Sequence, residues 1–190
     1  MNEFELQLPA LRHKAAAEDF KNDFFEIGER VINGSAMFDQ MDFEQWLVHN
    51  TNNRDENNVN SGWVAATTFF AVRKRDKKII GMIDIRHNLE NDFLKRYGGH
   101  IGYSVRPNER EKGHATEMLK LGLEYVKSLN IEKVMIGCFS DNIPSIKTII
   151  KCGGLLSETI LYTDGQLVNI YWVNTQVGYV QAENLLNNSR

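Results

Sequence analysis

Cysteine and proline are scarce in this chain: 2 of the first and 3 of the second among 190 residues. Cys138 and Cys152 cannot build a disulfide framework, and without a secretory signal they are expected as reduced thiols. They lack CxxC spacing and neighbouring histidine pairs, which argues against a zinc site, and no metal is expected. Long apolar runs are missing too. No stretch approaches the roughly 18 apolar residues of a membrane span. The start, MNEFELQLPALRHK, has no basic end followed by an apolar core, so a cytoplasmic protein is expected. Nor is there an excess of positive charge: 22 Lys and Arg stand against 25 Asp and Glu, net -3. No global field is available to hold a nucleic-acid backbone or an anionic membrane, and neither partner is expected. What remains is 42% hydrophobic and 25% charged, which excludes disorder. One globular domain of this length buries about 70% of its unfolded surface. Residues 1–174 are read as that domain and 175–190 as a C-terminal tail, either one short helix or frayed.

Hydrophobic spacing divides the chain. Phe4, Leu6 and Leu8 alternate before Pro9 and predict a short strand. Phe20, Phe24, Ile27 and Val31 recur at helical spacing, with Gly34 as the stop. Asp42, with Gln45 three residues on, caps a second short helix carrying Phe43, Trp46 and Leu47. His49 to Gly62, rich in Asn and charge, reads as a loop. Segments 67–73 and 79–86 form a hairpin across a charged turn. Phe93, Leu94 and Tyr97 make a small cluster ended by Gly98-Gly99, and His100 to Val105 adds a third strand closed by Arg106-Pro107.

After Gly113 the period is helical for about four turns. Val134 to Phe139 reads as a strand covered on both faces. A helix follows Asp141-Asn142, with Pro144 in its first turn, Ile146, Ile149 and Ile150 on its apolar side, and Gly153-Gly154 at its end. Asp164-Gly165 joins a last hairpin, 155–162 with 167–173. The strand–helix–strand unit from His100 to Phe139 requires a parallel pair with a right-handed crossover. The expected fold class is α/β, mixed α+β: a mostly antiparallel mixed sheet with helices on both faces.

The stretch from Val105 to Leu119, VRPNEREKGHATEML, carries the chemistry. A strand gives way through a charged loop to a helix, whose first amides lack intrahelical acceptors and face the positive end of the macrodipole. Gly113 and Ala115 leave room for a ligand, and Arg106, Arg110 and Lys112 add positive charge at the same end. That is a phosphate cradle. Neither a Walker loop nor GxGxxG is present.

Arg110-Glu111-Lys112-Gly113-His114-Ala115 matches R/Q-x-x-G-x-G/A, and Asn142-Ile143-Pro144-Ser145 followed by Lys151-Cys152-Gly153 matches N-x-x-A/S…K-x-G. With the element order from Phe4 to Val173, the chain resembles the GCN5-related N-acetyltransferase (GNAT) superfamily. The resemblance implies a sheet with a splayed parallel strand pair and acetyl-CoA as cosubstrate. The backbone of Tyr103, Ser104 and Val105 would pair with the pantetheine arm. Amides of Arg110, Glu111, Lys112, Gly113, His114, Ala115 and Thr116 would bind the diphosphate. Asn142 and Ser145 would border the channel, with Lys147 reaching a phosphate. Its acceptor is an amine, on a small molecule or a peptide, and the assembly it allows includes a homodimer.

Direct attack by a neutral amine on the acetyl carbonyl needs a route for the ammonium proton, an oxyanion donor and an acid for the thiolate. An amide near Tyr103 to Val105 is the candidate oxyanion donor. The family's usual tyrosine, seven residues after the asparagine, is replaced here by Ile149. The catalytic acid and base are therefore unassigned. Asp84, Arg86, His87 and His100 fall near strand ends as candidates for the base, the two histidines as possible neighbours; each histidine equally reads as structural. Tyr103 reads as facing core or cofactor, His114 as solvent-exposed with only its amide used, and both cysteines as small buried residues. The acidic run Asp19, Asp23, Glu26 and Glu29 reads as a solvated face. The missing tyrosine keeps a second reading open, a CoA-binding sensor or regulatory module without turnover.

Overall fold

A computed structural model describes residues 3–176. Its strands are β1 (Phe4–Gln7), β2 (Ala66–Arg73), β3 (Ile79–Arg86), β4 (Ile101–Val105), β5 (Lys133–Phe139), β6 (Leu155–Leu161) and β7 (Leu167–Asn174). Its helices are α1 (Lys14–Glu26), α2 (Phe43–Asn52), α3 (His114–Ser128) and α4 (Ile143–Lys151). Both hairpins, the strand before α3 and the cap at Asp42 lie where residue spacing put them, and α4 follows Asn142 as expected. The tail, from residue 177, lies outside the described residues.

Two antiparallel sheets result, in the orders β1-β2-β3-β4 and β5-β7-β6. The expected parallel ladder between β4 and β5 does not form; the splay is complete. The strands meet only at their base, where the His100 amide donates to Met135 C=O at 2.8 Å and the Met135 amide donates to His100 Nδ1 at 3.0 Å. Gly99 bridges Ile136 in the antiparallel sense. The approach there is so close that a Cβ on Gly137 would fall 1.9 Å from Tyr97 O. The crossing thus happens before β4 begins, and β4 leaves along β3, Ile101 opposite Ile85 and Val105 opposite Gly81.

Helices cover the first sheet on both faces because alternate residues of β2 and β3 are apolar on each side. On one face Phe20 and Phe24 of α1 and Phe43 and Trp46 of α2 pack on Phe70, Val72 and Met82. On the other, Met118, Leu119 and Leu123 of α3 pack on Ile83 and Ile85, and Ile149 of α4 joins the same core with Val134 and Ile136. Burying one such side chain contributes about 1.5–3 kcal/mol, so these layers hold the loops between them.

Several boundaries differ from the sequence reading. Helix α1 stops at Glu26, before Gly28 at φ 84°, and Ile27 and Val31 are exposed. The chain from there to Met41 instead crosses β4, with Gly34 so near that a Cβ would meet Gly102 O at 2.2 Å. Helix α2 continues to Asn52, into the Asn-rich stretch, because Trp46 is buried and Asn50 with it. On α4, Ile150 faces outward while Thr148 and Ile149 turn inward.

Candidate active site

The phosphate-cradle reading rests on where α3 begins. Glu117 N–H makes the first i→i−4 bond, to Gly113 C=O at 3.2 Å. The amides of His114, Ala115 and Thr116 find no acceptor among the described residues. Glu111 and Gly113 both take positive φ, 63° and 86°, which turns successive amides toward one concavity. A Cβ built on Gly113 meets nothing within 4 Å. Gly113, His114, Ala115 and Thr116 all line a cleft, so the space beside these donors is open.

That space is one end of a cleft of 810 Å³ running between β4 and α4. Tyr103, Ser104, Val105, Arg110, Glu111, Gly113, His114, Ala115, Thr116, Asn142, Ser145 and Lys147 all border it. Lys112 does not. Its ammonium turns back to Asn108 O at 2.9 Å and Glu109 Oε2 at 2.8 Å. Residues the sequence did not assign to the site also border the cleft, among them Glu29, Asn33, Thr148 and Lys151. Lys151 stood in the second motif and Glu29 in the acidic run read as a solvated face; Asn33 and Thr148 had no signal.

The charges near the cradle are paired in ways that spacing did not reveal. Arg106 is not in the cradle: it is wholly buried, its Nε donating to Ile79 O at 2.8 Å and its Nη1 meeting Asp19 at 3.0 Å and Asp23 at 2.5 Å. Arg110 forks onto Glu29 at 2.7 and 2.6 Å, a bond that holds the Glu29 carboxyl below its ordinary range. The acidic run is thus not merely a solvated face. Glu109 lies between Arg73 at 2.8 Å and Lys112, and despite burial these partners hold its pKa near 2. His114 is buried rather than exposed, its ring edge-on to Phe4 and 3.6 Å from Glu109. Lys147 and Lys151 are exposed and make no ion pair among the described residues.

The other end of the cleft is lined by Asn142, Ser145 and Tyr103. Asn142 caps α4, its Oδ1 accepting from the Ser145 amide at 3.1 Å. Ser145 Oγ lies 2.8 Å from Tyr103 Oη. Burial pushes the Tyr103 phenol above its ordinary value, and pushes the thiols of Cys138 and Cys152 up to about 11. Both cysteines are buried and unbridged. Ile149 is 0% exposed, so nothing from that position reaches the cleft. His87 and His100 are held by different partners: His87 Nε2 contacts Thr67 Oγ1 at 2.9 Å, and His100 ties the two sheets. Burial lowers both, His100 to about 4, which keeps it neutral. Asp84 is buried, accepting from Thr68 at 2.8 Å and pairing with Arg86 at 3.2 Å.

The sequence model of the Acetyltransferase (GNAT) domain family matches residues 11–154. The chain belongs to the GNAT acetyltransferase family. This GNAT chain is 37% identical over 65 residues to the uncharacterized N-acetyltransferase YnaD of Bacillus subtilis (strain 168), a match covering 32% of the chain and 38% of that relative. Two solved structures share the GNAT fold. The microcin C7 self-immunity acetyltransferase MccE, in complex with acetyl-CoA and AMP, superposes with a TM-score of 0.64 at 22% identity, covering 92% of this chain and 93% of that one. A chimera of spermidine N-acetyltransferase SpeG from Vibrio cholerae and hSSAT gives 0.65 at 16% identity, covering 95% and 99%. Among the described residues of this GNAT chain, no cluster of three His, Cys, Asp or Glu is placed to hold a metal, and no helix is long and apolar enough to cross a membrane.

Proposed function

We propose that the protein transfers the acetyl group of acetyl-CoA to a primary amine by direct attack. The observation that carries this reading is the empty space over the unpartnered amides of His114, Ala115 and Thr116, continuous with the cleft along β4. Those amides and that of Gly113 bind the diphosphate, and Lys147 and Lys151 meet further phosphate charge. The half-buried edge of β4 at Tyr103 to Val105, which has no strand partner beyond β3, takes the pantetheine amides as an added strand. A β4 amide receives the oxyanion as the amine nitrogen closes on the carbonyl. The amine arrives from the side of the residue 27–42 segment, which crosses β4 at Gly102.

The acceptor is a primary amine of a small molecule or peptide. The structural neighbour described as a spermidine N-acetyltransferase supports the amine class, and the MccE complex with acetyl-CoA supports the cosubstrate. Residues 1–174 act as one domain in the cytoplasm, with 175–190 as a tail. The outer strand β6, exposing Leu155, Leu156 and Leu161, is the face on which a second copy forms a homodimer.

Calorimetry with CoA, followed by thiol release from acetyl-CoA over a panel of primary amines, tests the reading. Micromolar binding with amine-dependent release is expected; no binding refutes it. Ile149 supports one other reading, a CoA-binding sensor without turnover, since its buried side chain supplies no proton. Tight binding with no release from any amine selects that alternative.

A further inference from the structure

The departing CoA thiolate needs a proton, and the helix position expected to supply it holds a buried isoleucine. The cleft has two distinguishable ends. Thr116, in the cradle, touches the C-terminal end of α4, its carbonyl accepting from Cys152 Sγ at 3.6 Å. Ser145 lies seven residues before Cys152, about 10 Å along the helix axis. A coenzyme held by its diphosphate at Thr116 therefore runs its thioester toward Ser145. Tyr103 stands there. It is the first β4 residue to border the cleft, and its Oη is 2.8 Å from Ser145 Oγ.

We propose that Tyr103 protonates the leaving thiolate, with Ser145 as the residue that positions its hydroxyl. The neighbouring polar groups are engaged with one another: Asn142 Oδ1 accepts from the Ser145 amide, buried Cys138 interacts with Ser145, and the Thr148 hydroxyl interacts with Tyr103. Burial keeps the phenol protonated at any working pH, so it is always loaded to donate. The amine lone pair forms the C–N bond and the carbonyl π pair moves to oxygen. That oxygen re-forms the carbonyl as the C–S bond breaks, its electron pair going to sulfur. The Tyr103 Oη proton passes to sulfur, Ser145 Oγ–H restores the phenol, and water restores Ser145 while taking the surplus proton from nitrogen. The products are the acetamide and CoA thiol.

This inference rests on the acetyl-CoA reading, so the test uses CoA itself and needs no acceptor. The thiol of bound CoA is titrated by thiolate absorbance, with the desulfo-CoA complex subtracted to remove protein tyrosines. A phenol donating to the thiolate lowers the thiol pKa. In Tyr103→Phe that pKa is expected to rise by about one pH unit or more. An unchanged thiol pKa overturns the proposal. Circular dichroism checks folding; should Tyr103→Phe fail to fold, Ser145→Ala decides. It keeps the phenol but loosens it, with a rise of about half a unit expected and none overturning. Failure of the parent protein to bind CoA refutes the acetyl-CoA reading and this inference with it, and is seen before any variant is made.

Discussion

Gly113 shows how one residue can be structurally cheap and functionally costly. Its φ of 86° belongs to the left-handed region, so alanine there costs roughly 1–2 kcal/mol of backbone strain. Its Cβ would touch no protein atom. The methyl group would instead project into the proposed diphosphate site. Gly113→Ala is therefore expected to lower the melting temperature by only a few degrees and to weaken CoA binding about tenfold or more, read by calorimetry beside a thermal melt. Glu109 has the opposite character. Burial alone would raise its pKa, yet Lys112 and Arg73 hold it near 2 against an ordinary 4.5. A carboxylate lowered by folding contributes its stability above 4.5 and loses it as pH falls toward 2. Urea midpoints of Glu109→Gln are expected to be lower at pH 7, where buried Arg73 loses a charged partner, and to fall less steeply through that acid window.

Among the elements, α4 ties stability to the cleft. Its first turn combines Pro144, which gives up an amide that has no helical acceptor, with Asn142 as cap to Ser145. Asn142→Ala is expected to cost about 1 kcal/mol by urea unfolding, and Asn142→Asp, which keeps an accepting oxygen, markedly less. The loop before α3 is held in the same manner from outside itself. Arg73 on β2 grips Glu109, and Arg106 at the end of β4 reaches back to Ile79 and α1. These anchors fix the cradle's backbone while spending the cations that sequence alone assigned to the ligand.

Across the whole molecule, the two sheets share few direct bonds, and His100 makes two of them with Met135. Its Nδ1 must be unprotonated to accept the Met135 amide. Burial, with Arg86 nearby, lowers its pKa from 6.5 to about 4. Between those values the unfolded chain binds more protons than the folded one, so stability rises with pH there and is lost on acidification toward 4. His13 and His87 are lowered in the same direction. His100→Asn, whose Oδ1 accepts without titrating, is expected to reduce the slope of stability against pH between 6.5 and 4, measured by urea unfolding at several pH values.

The amino-acid sequence by itself determined the succession of elements and the backbone of the cradle. Both are local: periodic apolar residues choose helix or strand, and a glycine between a charged loop and an apolar helix marks an open helix start. It misjudged α1 and α2 at their ends, where Ile27 and Val31 look periodic but no neighbouring surface covers them, and where Asn50 is buried by its position beside Trp46. Only the tertiary structure decided which charges remain available. Arg110 and Glu29 are 81 residues apart in the chain, and Arg106 and Asp23 are 83 apart. No local pattern encodes such pairs, because they exist only once α1 packs across the sheet. The parting of β4 from β5 is of the same kind: Gly137 of β5 packs against Tyr97 before β4 begins, an approach that exists only in the assembled fold.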